Sequence, residues 1–398
     1  MRVYCAPAVK MMNSIKNYKI YNGDCVEIMK KLPEASANLI FADPPYWMRV
    51  SGSLERVEGT EYDGCNDSWD NSFSSLADYA HFTRTWLAEA RRLLHKNGSL
   101  WVIGSMQCVY TIGNALQELG FWLINDVIWW KNNPTPNMKG NRLCNAHETL
   151  IWAVKDEKAK FTFHYKTGKE LNRDTVSEAD YLKGIRKQLG SVWRFPVCSG
   201  SERLRDENGK KLHSTQKPYA LLHRIINLCS SRGDLVLDPF GGTFTSGAAA
   251  LESGRNFIGI DSNPEYCAHG EKRLAECRDK NGPIENALYD EKPLKISLKE
   301  MIASGFLQNG EFLFAKSGEK ALLQEDGKIK LSNGLITDIH TGAAISSNGK
   351  SARLNGFNYW YAQRGNEFVG IDEIREKARK NDSGNDYKNA KNKIDGGI

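Results

Sequence analysis

Short apolar runs recur along the chain, with helix-like stretches between several of them. Residues 38–42 (NLIFA), 99–104 (SLWVIG), 124–130, 148–154, 234–237 (DLVL) and 256–260 (NFIGI) have the length and composition of buried strands. Between the first two, residues 76–94 carry Leu76, Tyr79, Trp86, Ala90 and Leu93 as an apolar stripe, which predicts an amphipathic helix. Strands alternating with helices predict an α/β fold built on a sheet of parallel strands. Ligands of such sheets bind beyond the carboxyl ends of the strands, and two runs deliver an acid there: FADPP at 41–45 and LVLDPF at 235–240.

The pattern changes twice. From 131 to 217 the chain is polar, rich in Asn, Lys, Arg and Gly, and without clean periodicity, which predicts an insertion decorating the sheet of a first domain at 1–277. Residues 278–293 (RDKNGPIENALYDEKP) are charged and turn-rich and predict a linker. Beyond it, 294–378 contains the alternating stretches GEFLFA and FNYWYA, the signature of a compact β-rich module. Alternation in the second stretch puts Tyr359 and Tyr361 on one face and Trp360 on the other; the tyrosine face is the expected core, with Phe357 in the turn before the strand. The last residues, 379–398, predict a disordered tail.

A length of 398 residues suggests two to three domains, and 40% hydrophobic residues suffice for a sizeable core. A net charge of +6 from 54 basic and 48 acidic residues permits a polyanionic partner without demanding one. Nine scattered cysteines with no C-x-x-C pair fit reduced thiols better than a disulfide framework or a zinc site, so no metal is expected. The N-terminus has no continuous apolar core of a signal peptide, and no run approaches the ~18 apolar residues of a membrane span. A soluble cytoplasmic protein is the expectation.

Residues 237–266 (LDPFGGTFTSGAAALESGRNFIGIDSNPEY) read as strand, glycine-containing turn, small-residue helix and second strand ending in Asp261. Glycines let backbone approach a ligand, and a carboxylate ending the second strand suits ribose hydroxyls; these are the mechanics of adenosine-cofactor binding. In FADPPYWM at 41–48, an Asp-Pro turn leaves the second proline and the tyrosine unexplained. A given tetrapeptide such as DPPY arises by chance in a chain this long only ~0.003 times.

Together the two stretches resemble the amino-methyltransferases that use S-adenosylmethionine to methylate exocyclic amines of DNA bases. DPPY is the catalytic motif of that family. Because it precedes the cofactor loop by about two hundred residues, the order is that of the β class, with a recognition insert between. The likeness extends over nearly the whole chain and is greatest to the HinfI and CcrM type of adenine methyltransferase, which acts at GANTC. NGDC (22–25), LIFADPPY (39–46), DSWD (67–70), SLWVIGS (99–105), FWLINDVIWWKNNPTPN (121–137), CNAHETLIWAVK (144–155), HSTQKP (213–218), RNFIGID (255–261) and LNGFNYWY (354–361) carry it.

The resemblance implies a Rossmann-like, permuted methyltransferase sheet with a small β-rich C-terminal domain, and a bacterial or phage, nucleoid-associated protein. Double-stranded DNA is the implied partner and S-adenosylmethionine the cofactor; a homodimer and a cognate restriction endonuclease are further partners it admits. An exocyclic adenine amine is a poor nucleophile, since its lone pair is delocalised into the ring. Catalysis therefore needs acceptors for both N–H bonds: Asp43 for one and the Pro44 carbonyl for the other, with Pro44 and Pro45 holding the backbone rigid. Tyr46 offers a face for the flipped base. By resemblance Asp24 contacts the cofactor adenine, Asp261 the ribose, Thr215 and Lys217 the methionine end, and Asp238, Phe240, Gly242 and Thr243 form the cofactor loop.

Base recognition is less legible. Arg56, Lys139, Arg142, Arg203 and Arg205 are candidates for phosphate or guanine contacts, His147 for a polar contact near the base, and Asn355 and Phe357 for insertion among bases. One departure concerns the cofactor loop, where Phe244 occupies the second glycine of the family's F-x-G-x-G. A large side chain there keeps open a DNA-binding relative impaired in catalysis; methylation of cytosine at N4 is the other open alternative.

Overall fold

The computed structural model describes residues 17–48, 70, 72–137, 140–291, 294–347 and 354–379, and the backbone of 54–55 and 61–62. Arg56, Lys139 and the expected tail beyond Arg379 lie outside the described residues. The chain divides into two compact units, Met1–Glu291 and Lys292–Ile398.

In chain order the first unit runs β1 (Tyr18–Asn22), α1 (Cys25–Met29), β2 (Ala37–Ala42), a short ribbon of β3 (Leu54–Glu55) and β4 (Glu61–Tyr62), α2 (Leu76–Leu93), β5 (Leu94–Gly104), α3 (Val109–Glu118), β6 (Trp122–Lys131) and β7 (His147–Val154). It continues through α4 (Tyr165–Leu171), α5 (Glu178–Leu182), β8 (Val192–Phe195), α6 (Tyr219–Cys229), β9 (Leu235–Asp238), α7 (Thr245–Glu252), β10 (Asn256–Asp261) and α8 (Pro264–Glu276). Local chemistry sets several of these boundaries. Ser75 caps α2 by accepting from the Asp78 N–H, and Arg91 and Arg92 sit in its last turn, where cations suit the helix dipole. Asn263 caps α8, whose first residue is a proline.

Eight strands form one sheet in the order β1-β10-β9-β2-β5-β7-β6-β8. The expectation of a parallel sheet needs one correction: β7 runs antiparallel to both β5 and β6, while the other pairs are parallel. Among the described residues no helix separates β6 from β7, and such a return makes an antiparallel pair. The stretch expected as an insertion therefore supplies two strands of the main sheet, β7 and β8. Successive residues of β2 face opposite layers. Ile40 and Ala42 join a core with Met29, Trp86 and Leu100, whereas Leu39 and Phe41 join one with Trp101, Trp152, Ile225 and Phe257. Strand order reverses between β9 and β2, the place where a doubly wound sheet opens a crevice.

Residues 278–291, expected as a linker, pack on the first unit. The Asp290 carboxylate accepts from the Lys166 and Thr167 amides, Arg255 donates to the Glu285 carbonyl, and Lys280 pairs with Glu252.

In the second unit, α9 (Leu298–Ala303) opens with a Ser297/Glu300 capping box. Next come β11 (Phe312–Ala315), β12 (Lys320–Leu323), β13 (Ile329–Leu331), β14 (Ile336–Thr337), α10 (Ile339–Ser346), α11 (Gly356–Tyr359), β15 (Trp360–Arg364) and β16 (Glu367–Gly370). The strands form one antiparallel sheet, β14-β13-β12-β11-β15-β16. Here the expected facing is reversed: Trp360 and Ala362 are buried in the core, and Tyr361 is half-exposed. The helical turn of α11 takes up Tyr359, so strand alternation begins at Trp360.

Candidate functional site

β2 lies in the middle of the sheet and ends at the fully buried Ala42, so the next residues, Asp43-Pro44-Pro45-Tyr46, emerge at its carboxyl edge beside β9. Two anchors fix this loop. The Asp70 carboxylate, 1% exposed, accepts from the amides of Trp47 and Met48, both at 2.7 Å. These bonds hold Trp47 in the left-handed backbone region (φ 50°), which a bulky residue rarely adopts. The Tyr79 hydroxyl donates to the Pro45 carbonyl at 2.9 Å. Among the described residues nothing donates to the Pro44 carbonyl.

Charged side chains close around the loop. Lys217 Nζ donates to Asp43 Oδ2 at 2.6 Å and to the Thr215 carbonyl at 3.1 Å, and lies 5.0 Å from the centre of the Tyr46 ring. The Tyr46 hydroxyl donates to Glu148 Oε2 at 2.7 Å, and Lys131 Nζ donates to Glu148 Oε1 at 2.5 Å. Burial pushes the Asp43 carboxyl upward, and although the Lys217 ammonium opposes this, the net direction is up. Burial acts on Glu148 the same way, but there the Lys217 and Lys131 ammoniums prevail and hold it below the usual carboxylate range. The Tyr46 phenol is pushed well up by burial and by the Asp43 and Glu148 charges, so it stays a neutral donor.

A cavity of about 400 Å³ opens from this loop toward β9 and β10. Asp24, Asp43, Asp238 and Asp261 all reach its wall, with Phe240, Gly241, Gly242, Thr243 and Thr215 between them. Asp238, at the end of β9, accepts from the Phe240 amide at 2.9 Å and from the Ser246 hydroxyl. Burial raises its carboxyl to about 7. Asp261, at the end of β10, accepts from the Gly242 amide at 2.7 Å and the Asn263 amide at 2.8 Å; burial raises it despite both bonds. Gly242 has φ +51°, and a Cβ there would lie 3.2 Å from His213 Nε2, so glycine serves both the conformation and the space. The wall fits S-adenosylmethionine: four carboxylates suit cationic centres and ribose hydroxyls, and the glycines leave backbone open to approach.

Phe244 does not obstruct this cavity. Its backbone is left-handed (φ 53°, ψ 35°), as the glycine of the family motif would permit, and its ring is completely buried in the opposite direction. Three glycines make the space: a Cβ at Gly241, Gly259 or Gly270 would come within 2.4, 2.6 or 2.3 Å of the ring. Phe257 meets it edge to face, with centroids 6.5 Å apart. Gly241, the variable position between Phe240 and Gly242, is thus part of a seat for the ring.

Of the other expected residues, Asp24 stays with the cavity and the rest are dispersed. Asp24 is exposed at the wall and also caps α1, accepting from the Glu27 amide at 2.9 Å. Arg142 is exposed and donates to the Asn145 side chain at 3.1 Å, in the loop between β6 and β7. His147 is exposed, paired across the ladder with Trp130. Arg203 turns inward, donating to the carbonyls of Cys198, His213 and Ser214, and Arg205 donates to the Gly209 carbonyl. In the second unit, Asn355 is exposed and Phe357 packs in the core. Asn355 caps α11 by accepting from the Phe357 amide, and Phe357 is 6% exposed with the Arg375 guanidinium 3.8 Å from its ring centre.

The sequence marked Tyr79 only as part of the apolar stripe at 76–94, and Asp70, Lys131 and Glu148 only as members of matched stretches; nothing local marks them as site residues. Among the described residues no helix is long and apolar enough to cross a membrane.

A family model described as DNA methylase matches residues 37–272, more than half of the chain. Type II methyltransferase M.HinfI of Haemophilus influenzae is 44% identical over 357 residues, covering 89% of this chain and 95% of that protein. Type II methyltransferase M2.MboI of Moraxella bovis is 35% identical over 261 residues, covering 66% and 89%. Among solved structures, the M1.HpyAVI–SAM complex is 29% identical with a TM-score of 0.45, covering 65% of this chain and 98% of that one. The PvuII cytosine-N4-specific DNA methyltransferase is 21% identical with a TM-score of 0.48, covering 69% and 94%.

Proposed function

Since this chain belongs to the DNA methylase family, we propose that it methylates the N6 amine of an adenine flipped out of double-stranded DNA, within GANTC, with S-adenosylmethionine as donor. The carrying observation is the convergence, in one cavity, of the Asp43 loop from β2 with the Asp238 and Asp261 loops from β9 and β10. Bound there, the cofactor supplies a methyl group already activated by its sulfonium. The protein's part is to raise the amine's nucleophilicity and aim it. Lys217 occupies Asp43 Oδ2, leaving Oδ1 to accept one amine hydrogen. The Pro44 carbonyl, without a donor among the described residues, accepts the other, while the Pro45 carbonyl is already taken by Tyr79. Fixed acceptors on both hydrogens favour a tetrahedral nitrogen with a localised lone pair, and they need no rearrangement as the reaction proceeds. Tyr46, anchored through its hydroxyl, supplies the face on which the base stacks.

In the same reading, Asp261 and Asp24 hold the ribose and adenine of the cofactor and Thr215 lies near its methionine end. Arg56, Lys139 and Arg142 contact DNA. A cognate endonuclease is supported by the Type II designation of both relatives. A homodimer and a place beside the nucleoid in the cytoplasm complete the proposal, the dimer being read out by sedimentation.

The test is transfer of labelled methyl from S-adenosylmethionine to duplexes containing GANTC or a scrambled site, followed by nucleoside identification. N6-methyladenine confined to GANTC duplexes is expected. N4-methylcytosine would assign the chain to the other chemistry of the family, and equal labelling of both duplexes would remove the site assignment.

A further inference from the structure

Around the Asp43 loop stands a buried group of two lysines, two acids and a phenol. Lys131 and Glu148 have side chains 14% and 12% exposed, Lys217 and Asp43 6% and 16%. The set is charge-balanced, as buried ions must be. Asp43, Lys217 and Tyr46 belong to the cavity wall; Glu148 and Lys131 stand behind it. Glu148 is the second residue of β7 and Lys131 the last residue of β6. They reach the site because β7 is antiparallel: its starting end lies at the carboxyl edge of the sheet, where Thr149 pairs with Gly104, the last residue of β5.

We infer that Glu148 is a positioning residue for methyl transfer, acting through the Tyr46 hydroxyl to fix the plane of the ring that receives the base, with Lys131 holding its second oxygen. A phenylalanine would fill the same space, so the hydroxyl and its partner need a reason. An ionised acceptor makes the stronger hydrogen bond, and Glu148 is ionised because two ammoniums face it, Lys131 at 2.5 Å and Lys217 beyond the Tyr46 ring. Rotation of Tyr46 breaks that bond and leaves the buried phenol and Glu148 Oε2 unpaired, while Lys131 still holds Oε1. The ring is thereby held before DNA arrives, and a base meeting it is placed over Asp43 Oδ1 and the Pro44 carbonyl without searching.

The inference rests on Tyr46 as the stacking face, and the two are separable by experiment. Tyr46→Phe, Glu148→Ala and the double variant are compared with Tyr46→Ala in single-turnover methyl transfer. Emission of 2-aminopurine replacing the target adenine reports stacking of the flipped base. Tyr46→Phe and Glu148→Ala are each expected to lower the transfer rate about ten- to hundredfold, the worth of one charge-assisted hydrogen bond. KM for DNA should stay within about threefold, 2-aminopurine should be less quenched, and the double variant should fall no further than either single. Multiplying effects in the double variant, or wild-type rate and emission in Tyr46→Phe, would overturn the role of Glu148. Tyr46→Ala that transfers normally would instead overturn the stacking reading itself. If Glu148→Ala does not fold, Tyr46→Phe still decides, since it removes only the hydroxyl.

Discussion

Replacing Phe244 by glycine, the residue the family motif has at this place, is expected to harm the protein. Two backbone effects oppose each other. Relief of the left-handed conformation at φ 53° favours glycine by about 1–2 kcal/mol, while the greater freedom of glycine in the unfolded chain opposes it by about 0.5–1 kcal/mol. The ring decides the outcome. It is fully buried against Phe257 and seated on Gly241, Gly259 and Gly270, and truncating such a side chain costs about 3–5 kcal/mol. Phe244→Gly should therefore lose roughly 2–5 kcal/mol in urea unfolding followed by tryptophan emission, with S-adenosylmethionine affinity of the folded protein changed little. Gly270→Ala approaches the same contact from the other side. Its Cβ would lie 2.3 Å from the ring, so it should destabilise by about 1–3 kcal/mol alone and by clearly less in a Phe244→Ala background. A Phe244→Gly protein of unchanged stability that binds S-adenosylmethionine more tightly would refute this reasoning, because the ring would then be an obstruction in the cofactor loop.

Asp238 links stability of the ligand-free protein to pH. Its folded carboxyl is raised to about 7 from 3.8, so the folded state holds a proton that the unfolded chain has lost. Stability should fall as pH rises from about 4 to 7 and level off above; relative to Asp238→Asn, the wild type should lose a few kcal/mol between pH 5 and 8, and a pH-independent difference would contradict it. Asp70→Ala strips the acceptor from two amides of the DPPY loop. It is expected to lose about 2–4 kcal/mol in the same unfolding assay and to lower the transfer rate more than cofactor affinity; an unchanged rate would show that the loop holds without it.

Much of this organisation was legible because central strands are apolar on both faces. The runs at 38–42, 234–237 and 256–260 became β2, β9 and β10, and the acids that end them became the cavity wall. The edge strands β1 (YKIYN) and β8 (VWRF) escaped because each is half-exposed and its pattern mixes with loop chemistry. Strand direction was invisible as well, since an apolar run reads the same both ways, and with it went the reason Glu148 faces Tyr46 from 102 residues away. The place of Phe244 was left open by the sequence for a related reason. The glycines that accommodate it are spread from 241 to 270 and meet only in the fold. Phe357 looked like a stacking ring in sequence, but α11 turns it into the core under Arg375.

The most direct test of the central claim is single-turnover methyl transfer to a GANTC duplex by Asp43→Asn, with S-adenosylmethionine binding measured in parallel by calorimetry. The account predicts intact cofactor binding and a rate reduced by at least about a hundredfold, because the amide removes the anionic acceptor and leaves the shape. Transfer at the wild-type rate would contradict it and place the chemistry outside the Asp43 loop.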